Sequence, residues 1–358
     1  MNQFHNAMEM LDLIMPPAFC VHNGRIIKVN SAAAALMIEA DTDIHPLLQT
    51  CADEYAAFQS GCLYLTLTVG NQKIGASVTR MQEFDVFCTE QDTDSHMQAL
   101  ALAARELREP LSNLMTVADK VFPEAVGTDS HTQELLSHMN RSLFQMLRVL
   151  NNMSDAQQYT MLADAQQEIR DISAVLEEIF HRAEVLTSHT AVTLRYSGPS
   201  ERIYTLLDAQ KLERMVFNIL SNAIKFTPAG GTIDAKLTRH GRKLYLSICD
   251  SGSGLHDSVR NNLFSRYLRE PGLEDRRNGL GLGMVLIRST AALHDGTVLV
   301  DQPEGCGTRI TVSLTIRQGD ITVRSPRMQI DYTGERDHGL VELSDVLPAQ
   351  LYDPDSVN

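Results

Sequence analysis

The chain of 358 residues lacks several features that would place it in a familiar class of protein. It has no basic surplus: the formal net charge is -14, which argues against a nucleic-acid surface. It has no run of eighteen apolar residues, so no segment is expected to span a membrane. The N-terminus lacks the basic and apolar regions of a signal peptide, and we expect a cytoplasmic protein.

Paired cysteine motifs are also missing. The six cysteines are scattered, with no C-x-x-C pair and no spacing suited to a metal site. Several lie in apolar runs, and we interpret them as small buried hydrophobic residues in a reducing cytosol. Apolar residues make up 43% of the chain, which is enough to build packed cores in two or three domains.

Residues 1–92 combine short strand and helix patterns. VHNGRIIKVNS (21–31) predicts a tight turn and a strand, and CLYLTLTVGNQKIGASVT (62–79) predicts a hairpin around Gly70-Asn71. Through GRIIKVNSAA and the closing antiparallel strands this block resembles a PAS sensor domain. A generic α+β module that only packs against the rest of the chain is the alternative.

Residues 93–160 predict a helical hairpin. The apolar residues of each helix recur at spacings of three and four, as in a coiled-coil seam. The first seam is Leu100, Ala104, Leu107, Leu111, Leu114, Ala118 and Val121, and the second is Leu136, Met139, Leu143, Met146, Leu150 and Met153. One hairpin buries such stripes poorly, so we expect a homodimer with a four-helix bundle. Packing on other domains of the same chain is the alternative.

Residues 165–318 alternate helix and strand patterns, which predicts a two-layer α/β sandwich. Residues 319–358 form an acidic tail with eight acidic and three basic residues. In this tail ITVRSP or MQIDYT is a candidate strand, and we expect the remainder to be flexible or to act as a docking segment.

The first of three short motifs is NILSNAIKF. It places Asn218 and Asn222 four residues apart on one face of a helix, with Lys225 beside them. Amide oxygens suit Mg²⁺, and a lysine suits phosphate. Alone, this spacing means little, because exposed helices carry Asn by chance.

The other two motifs are rich in glycine. In DSGSG (250–254), Asp250 follows an apolar strand and can accept a hydrogen bond from an exocyclic amine, while the glycines let the backbone approach a flat ligand. NGLGLGM (278–284) opens a helix with bare N–H groups that suit phosphate. Each motif alone also fits an ordinary turn.

In this order and spacing the three motifs resemble the ATP-binding domain of sensor histidine kinases, within the wider family that includes gyrase, Hsp90 and MutL. The resemblance covers about 98–318 and implies a multidomain α+β protein that binds ATP and Mg²⁺. It implies that Asn222 ligates Mg²⁺ with Asn218 beside it, and that Asp250 reads adenine N6 with support from Thr308. The other nucleotide-site residues that it implies are Lys225, Phe226, Gly252, Gly254, Gly279, Gly281 and Gly283.

The resemblance also implies an aromatic residue at Phe264 before an ATP lid, REPGLEDRRN, in which Arg276 and Arg277 could touch phosphates. Leu280 departs from the family, which usually has Thr or Ser there, so that one phosphate contact is weakened.

The phosphoacceptor position departs further. The family's first hairpin helix carries a run like H-E-L-R-T-P-L, whose histidine accepts the phosphoryl group, and the matching run here is RELREPL. Arg105 stands at the histidine position, and a protonated guanidinium has no lone pair for attack. Glu109 stands where relatives carry the Thr or Asn that assists phosphate removal.

We therefore expect a dimeric signalling protein that binds Mg·ATP, does not phosphorylate itself in the usual way, and acts on a response regulator or a partner kinase. One alternative is an active kinase that uses another acceptor, with His96, His131 and His138 as candidates, or that phosphorylates a partner in trans. A second alternative is a structural module without nucleotide.

Overall fold

A computed structural model describes residues 11–12, 14–81, 84–90, 94–125, 130–158, 167–254, 282–317 and 336–353. The strands are β1 (Ala18–His22), β2 (Arg25–Val29), β3 (Cys62–Val69), β4 (Gln72–Arg80), β5 (Asp85–Thr89), β6 (Glu168–Asp171), β7 (Thr193–Ser197), β8 (Tyr204–Leu207), β9 (Thr232–His240), β10 (Lys243–Asp250), β11 (Val298–Asp301) and β12 (Arg309–Thr315). The helices are α1 (Ser31–Ala35), α2 (His45–Leu48), α3 (Ala52–Ala57), α4 (Asp94–Ala125), α5 (Ser130–Gln158), α6 (Ile172–Thr187), α7 (Ala209–Phe226), α8 (Leu282–Leu293) and α9 (His338–Glu342).

A ten-stranded sheet runs through the described part of the chain, in the order β2-β1-β5-β4-β3-β11-β12-β10-β9-β7. Side chains along its strands point alternately into the core and away from it. Along β10, for example, Leu244, Leu246 and Ile248 are buried and the residues between them are less buried. Helices α6 and α7 pack on the β7–β12 half through apolar faces. The fold is thus mixed α+β, as expected from the sequence.

The two sheets that the sequence predicts separately are joined edge to edge. Strand β3 pairs antiparallel with β11, with Tyr64 opposite Val298 and Cys62 opposite Val300. At the start of this junction Gly61 has φ +94°, and a Cβ there would lie 2.3 Å from the Val300 carbonyl oxygen, so only glycine fits. The N-terminal block therefore continues the sheet of the C-terminal block.

Buried charge pairs reinforce this junction. Glu54 on α3 forms an ion pair with Lys243 Nζ at 2.7 Å and accepts a 3.0 Å hydrogen bond from Ser313 Oγ. Arg288 on α8 forms an ion pair with Glu90 and lies 5.4 Å from the Tyr64 ring centroid. Because these charges are largely withdrawn from water, removing one partner of a pair would leave the other buried and unpaired, at a cost of several kcal/mol.

The N-terminal block has its own apolar interior. Phe19 and Phe87 stack with ring centroids 4.8 Å apart, and the Tyr55 ring lies 5.4 Å from Phe87. Tyr55 donates a 2.6 Å hydrogen bond to Asp85, which also pairs with Arg80. Aromatic side chains and a satisfied polar triad thus fill the space between the sheet and its helices.

Helices α4 and α5 pack against each other, but only some of the seam residues whose side chains the structure describes are buried. Ala104, Leu111 and Leu143 are buried, as are Phe144 and Leu147 outside the seam. Other seam residues remain exposed, at 53% for Leu107 and 57% for Leu114. Within one chain the hairpin therefore keeps an apolar stripe facing solvent: Leu102, Leu107, Leu114, Val117, Leu135, Met139, Met146 and Val149.

Part of the acidic tail is packed into the molecule. Leu340, Val341, Leu343 and Tyr352 in residues 336–353 are buried against α5, α6 and α7. Tyr352 packs edge-on against Phe144 at 5.2 Å between ring centroids. The candidate strands ITVRSP and MQIDYT lie outside the described residues.

A buried histidine supports the N-cap residue of the central helix α7. Asp208 is the N-cap and accepts a 3.0 Å hydrogen bond from the Lys211 backbone N–H. The Asp208 backbone N–H in turn donates to His294 Nε2 at 3.2 Å, while His294 Nδ1 lies 2.8 Å from the Thr290 carbonyl oxygen. Burial lowers the pKa of His294, so the imidazole is neutral in the folded protein.

This histidine predicts a loss of stability in acid. In the unfolded chain His294 takes up a proton below about pH 6.5, whereas the folded state resists protonation, so protons favour unfolding. Between pH 7.5 and 5.5 the free energy of unfolding should fall more in the wild type than in His294→Gln, by at most about 1.4 kcal/mol, the value reached when the folded imidazole takes up no proton in this range. Urea titrations at both pH values measure this, and equal pH dependence of the two proteins would contradict it.

Candidate functional site

The Asp250 carboxyl group lies at the end of β10, inside a small backbone cradle. Its Oδ1 accepts hydrogen bonds from the backbone N–H groups of Gly252 at 2.8 Å and Thr308 at 3.0 Å, which leaves Oδ2 for a ligand. Burial raises the pKa of Asp250, and the two N–H donors oppose this by favouring the ionised form. The arrangement presents one fixed carboxylate oxygen, suited to accept a hydrogen bond from an amine.

Glycines make this cradle possible. A Cβ at Gly252 would lie 2.5 Å from the Phe226 carbonyl oxygen, and one at Gly307 would lie 2.5 Å from Asp250 Oδ1. The close approach of Gly252 to Phe226 joins the Asp250 loop to the C-terminal end of α7. Thr308 contacts Asp250 through its backbone N–H, and its predicted role in adenine recognition stays a prediction.

The first amide of the α7 motif, Asn218, is only 2% exposed. Its Nδ2 donates to the Arg214 carbonyl oxygen at 2.9 Å and to Glu342 Oε2 at 3.4 Å. Its Oδ1 points the other way and lies 3.0 Å from where a Cβ at Gly283 would be. The amide oxygen is therefore turned toward the start of α8, where the third motif ends.

Asn222, Lys225 and Phe226 follow on the same helix. Asn222 is half-buried, and its side chain makes no hydrogen bond within the part of the chain that the structure describes. Lys225 Nζ lies 5.5 Å from the ring centroid of Phe226, which is 51% exposed. Two amide oxygens and one ammonium group thus lie along one helix, and oxygen donors of this kind fit Mg²⁺.

The structure brings together two clusters: Asp250 with Gly252 and Thr308, and Asn218 with Gly283. Gly254 has φ +78° and lies against Gln302. Gly279, Gly281, Leu280, Phe264 and the lid with Arg276 and Arg277 lie outside the described residues, so their predicted roles stay predictions.

The interpretation of the cysteines as unpaired hydrophobic residues is wrong for two of the six. Cys249 and Cys306 form a disulfide across 57 residues of sequence, directly beside Asp250. The pairing follows from strand register, since β10 and β12 place Cys249 opposite Arg309, close to the loop that carries Cys306. Cys20, Cys51, Cys62 and Cys88 are free.

A buried ionic cluster beside Asn218 was not predicted from the sequence. Glu342 of α9 has no solvent exposure and pairs with Arg214 Nε at 2.9 Å and Arg148 Nε at 3.6 Å. Arg148, on α5, also donates to Ser221 Oγ at 3.1 Å. One polar cluster therefore joins helix α7, the hairpin and the C-terminal segment. The sequence does not indicate this cluster, because a single Glu in an acidic tail is not distinguished from its acidic neighbours.

Arg105 is exposed on α4. One turn further on, Arg108 donates to Asn151 Oδ1 at 3.1 Å, and burial together with the nearby Arg214 lowers the pKa of Arg108. Helix α4 therefore approaches α7 at Arg108, one turn after Arg105. Of the alternative acceptors, His131 and His138 are exposed on α5, and the side chain of His96 lies outside the described residues.

Comparison with known proteins defines the class. Residues 207–318 match the family described as "Histidine kinase-, DNA gyrase B-, and HSP90-like ATPase". Sensor histidine kinase RppB of Synechocystis sp. is 29% identical over 235 residues, covering 63% of this chain and 50% of that protein. Histidine protein kinase DivJ of Caulobacter vibrioides is 27% identical, covering 63% of this chain and 38% of that protein.

Full-length ShkA, solved in complex with AMPPNP, has a similar fold, with a TM-score of 0.50 at 18% identity; 62% of this chain and 47% of that chain are covered. The chain spans half or less of the length of these relatives. The fold and the site define an ATPase domain of the histidine kinase type. Residues 207–318 belong to that ATPase family, and the chain as a whole is similar to sensor histidine kinases. No helix among the described residues is long and apolar enough to cross a membrane.

Proposed function

We propose that this protein binds Mg·ATP through the site on α7, β10 and α8, and that it signals without the usual autophosphorylation. The Asp250 cradle carries this proposal, since it holds one carboxylate oxygen ready for an exocyclic amine such as adenine N6. Asn222 would ligate Mg²⁺, with Asn218 and Lys225 nearby. When bound, the metal ion would neutralise phosphate charge.

Within the described residues no cluster of three or more His, Cys, Asp or Glu side chains could hold a metal by itself. Mg²⁺ would therefore draw most of its oxygen ligands from the nucleotide and from water, as is usual for this ion. Binding of metal and triphosphate would be mutually dependent.

With Arg105 at the acceptor position, the protein would bind nucleotide without transferring the phosphoryl group to itself. A side chain that remains protonated cannot attack the γ-phosphate, although a nucleophile in line with it is indispensable for transfer. Nucleotide occupancy would then act by changing the contacts of the hairpin with α7, and a response regulator or a partner kinase would detect that change. Hydrogen exchange on α4 and α5 in the presence of such a partner tests the contact.

Radiolabelled ATP tests the missing acceptor. We expect no acid-labile label on the wild type, label on Arg105→His, and loss of that label when Asn222→Ala is added, because the site then lacks its metal ligand. Autoradiography after matched incubations measures this. Label on the wild type at a rate comparable with Arg105→His would contradict the proposal.

An active kinase with another acceptor is the second candidate, favoured by the exposure of His131 and His138 on α5. Labelled wild type, with a phosphohistidine mapped to either residue by mass spectrometry, would support it. A nucleotide-free structural module, the third alternative, would show no binding of ATP in calorimetry.

We further propose that the exposed apolar stripe of the hairpin forms a homodimer. Stripes of this kind on two antiparallel helices are covered when a second hairpin completes a four-helix bundle. The double change Leu107→Glu and Leu114→Glu should convert a dimer to a monomer in sedimentation equilibrium, because it buries charge in the interface. Asn113→Glu, exposed on the same helix, is the control. A monomeric wild type would contradict the proposal.

A further inference from the structure

The C-terminal segment, residues 336–353, places one buried carboxylate beside Asn218 of the proposed nucleotide site. Glu342 ends α9 and is fully buried between α5 and α7. An isolated buried carboxylate would be strongly disfavoured, yet two guanidinium groups meet this one from different helices, Arg148 from the hairpin and Arg214 from α7. The segment is therefore placed by specific charge pairing as well as by apolar packing.

The two oxygens of Glu342 have different partners. Oε1 accepts from Arg214 Nε at 2.9 Å, while Oε2 lies 3.6 Å from Arg148 Nε and 3.4 Å from Asn218 Nδ2. Arg214 also donates to Asn152 Oδ1 at 2.9 Å, which limits its rotation. The position of Oε2 in front of Asn218 is thus fixed from both sides.

This contact decides which way the Asn218 amide faces. Its two N–H groups are directed to the Arg214 carbonyl oxygen and to Glu342. Oδ1 is consequently turned toward Gly283, and it accepts no hydrogen bond from any residue that the structure describes. Reversing the amide would set its oxygen against a carboxylate and a carbonyl oxygen, two acceptors, which the low local dielectric makes costly.

We propose that Glu342 is a positioning residue of the nucleotide site: it holds the Asn218 amide with its oxygen toward Gly283 at the start of α8, on the side where the proposed function has the metal and the phosphates bind. The inference rests on the proposed function, since it assigns a role within that same site. Glu342 acts through Asn218 and does not itself reach the nucleotide. The adenine end of the site, at Asp250, is independent of it.

The placement of Glu342 on a terminal segment gives the site a second property. Arg148 joins the same carboxylate to the hairpin, and Asp345 of the segment pairs with Arg148 Nη1 at 2.5 Å. Orientation of the amide therefore depends on the hairpin and the segment both being docked on α7.

The test compares two ligands in calorimetry with the 358-residue chain: Mg·AMPPNP, which uses both ends of the site, and adenosine, which uses only the adenine end. The measured quantity is the ratio of the adenosine Kd to the Mg·AMPPNP Kd. In Glu342→Leu this ratio should fall about tenfold, with adenosine affinity unchanged, as expected for loss of one hydrogen bond to a charged group.

Two further variants separate positioning from simple support of the fold. Glu342→Gln keeps an acceptor oxygen for Asn218 and should restore the ratio to within about threefold of the wild type. Asp345→Asn alters the same segment and the same arginine without contacting Asn218, and it should leave the ratio unchanged. An equal fall in Asp345→Asn and Glu342→Leu would overturn the proposal.

Glu342→Leu leaves two buried arginines short of a counter-charge, so an exchange of the two groups provides a second test that keeps the net charge of the cluster. Asn218→Asp alone places two carboxylates face to face and should lower the ratio; Asn218→Asp with Glu342→Gln restores a donor–acceptor pair and should recover it at least fivefold, by the energy of one such hydrogen bond. No recovery overturns the proposal. A wild type that does not bind Mg·AMPPNP overturns the proposed function as well, whereas wild-type binding with an unchanged ratio in Glu342→Leu overturns only the role of Glu342.

Discussion

The buried polar stripe on α7 is the constraint on which much of this structure depends. Arg214, Asn218 and Ser221 lie on one face of a helix whose other faces fill the core, and all three are withdrawn from solvent. Buried polar groups need partners, and a buried guanidinium without one would cost several kcal/mol. The hairpin supplies Arg148 and Asn152, and the C-terminal segment supplies Glu342. The need to provide partners for the buried polar side chains of α7 thus fixes the relative positions of three parts of the chain.

The same stripe links the proposed nucleotide site to the hairpin. Asn218 belongs to the motif that resembles a nucleotide-binding helix, and its neighbours on the stripe contact α5. A change at the site would be transmitted to the hairpin through hydrogen bonds and ion pairs, without any covalent phosphoryl transfer. This fits the proposal that Arg105 stands at the acceptor position, while Asp250 lies in a well-formed backbone cradle. The apolar stripe of the hairpin is exposed to solvent, and we propose that a second copy of the chain covers it.

Much of the fold could be predicted from local pattern. The alternation of Leu244, Leu246 and Ile248 predicts a half-buried strand, and the Gly70-Asn71 turn sets the β3–β4 hairpin. The three motifs gave the class of the domain because each depends on residues close together in sequence. The helical seams were predicted from spacing alone, and spacing does not show which apolar residues are covered within one chain and which remain exposed.

The features that could not be predicted from the sequence depend on contacts between segments that are distant along the chain. Pairing of β3 with β11 joins residues more than two hundred positions apart, and neither strand carries a mark of its partner. The Cys249–Cys306 disulfide appears only once the β10–β12 register is known. Glu342 is one acidic residue among eight in the tail, distinguished only by the two arginines that surround it in the folded protein.

The central claim is that this chain keeps a working Mg·nucleotide site beside a helix without an acceptor. Isothermal titration of the wild-type protein with AMPPNP, with and without Mg²⁺, tests it most directly. We predict one site per chain, with a Kd in the range of about 1 μM to 1 mM that is typical of enzyme–substrate affinities, and markedly weaker binding without the metal. Absence of binding at millimolar AMPPNP in the presence of Mg²⁺ would contradict the account.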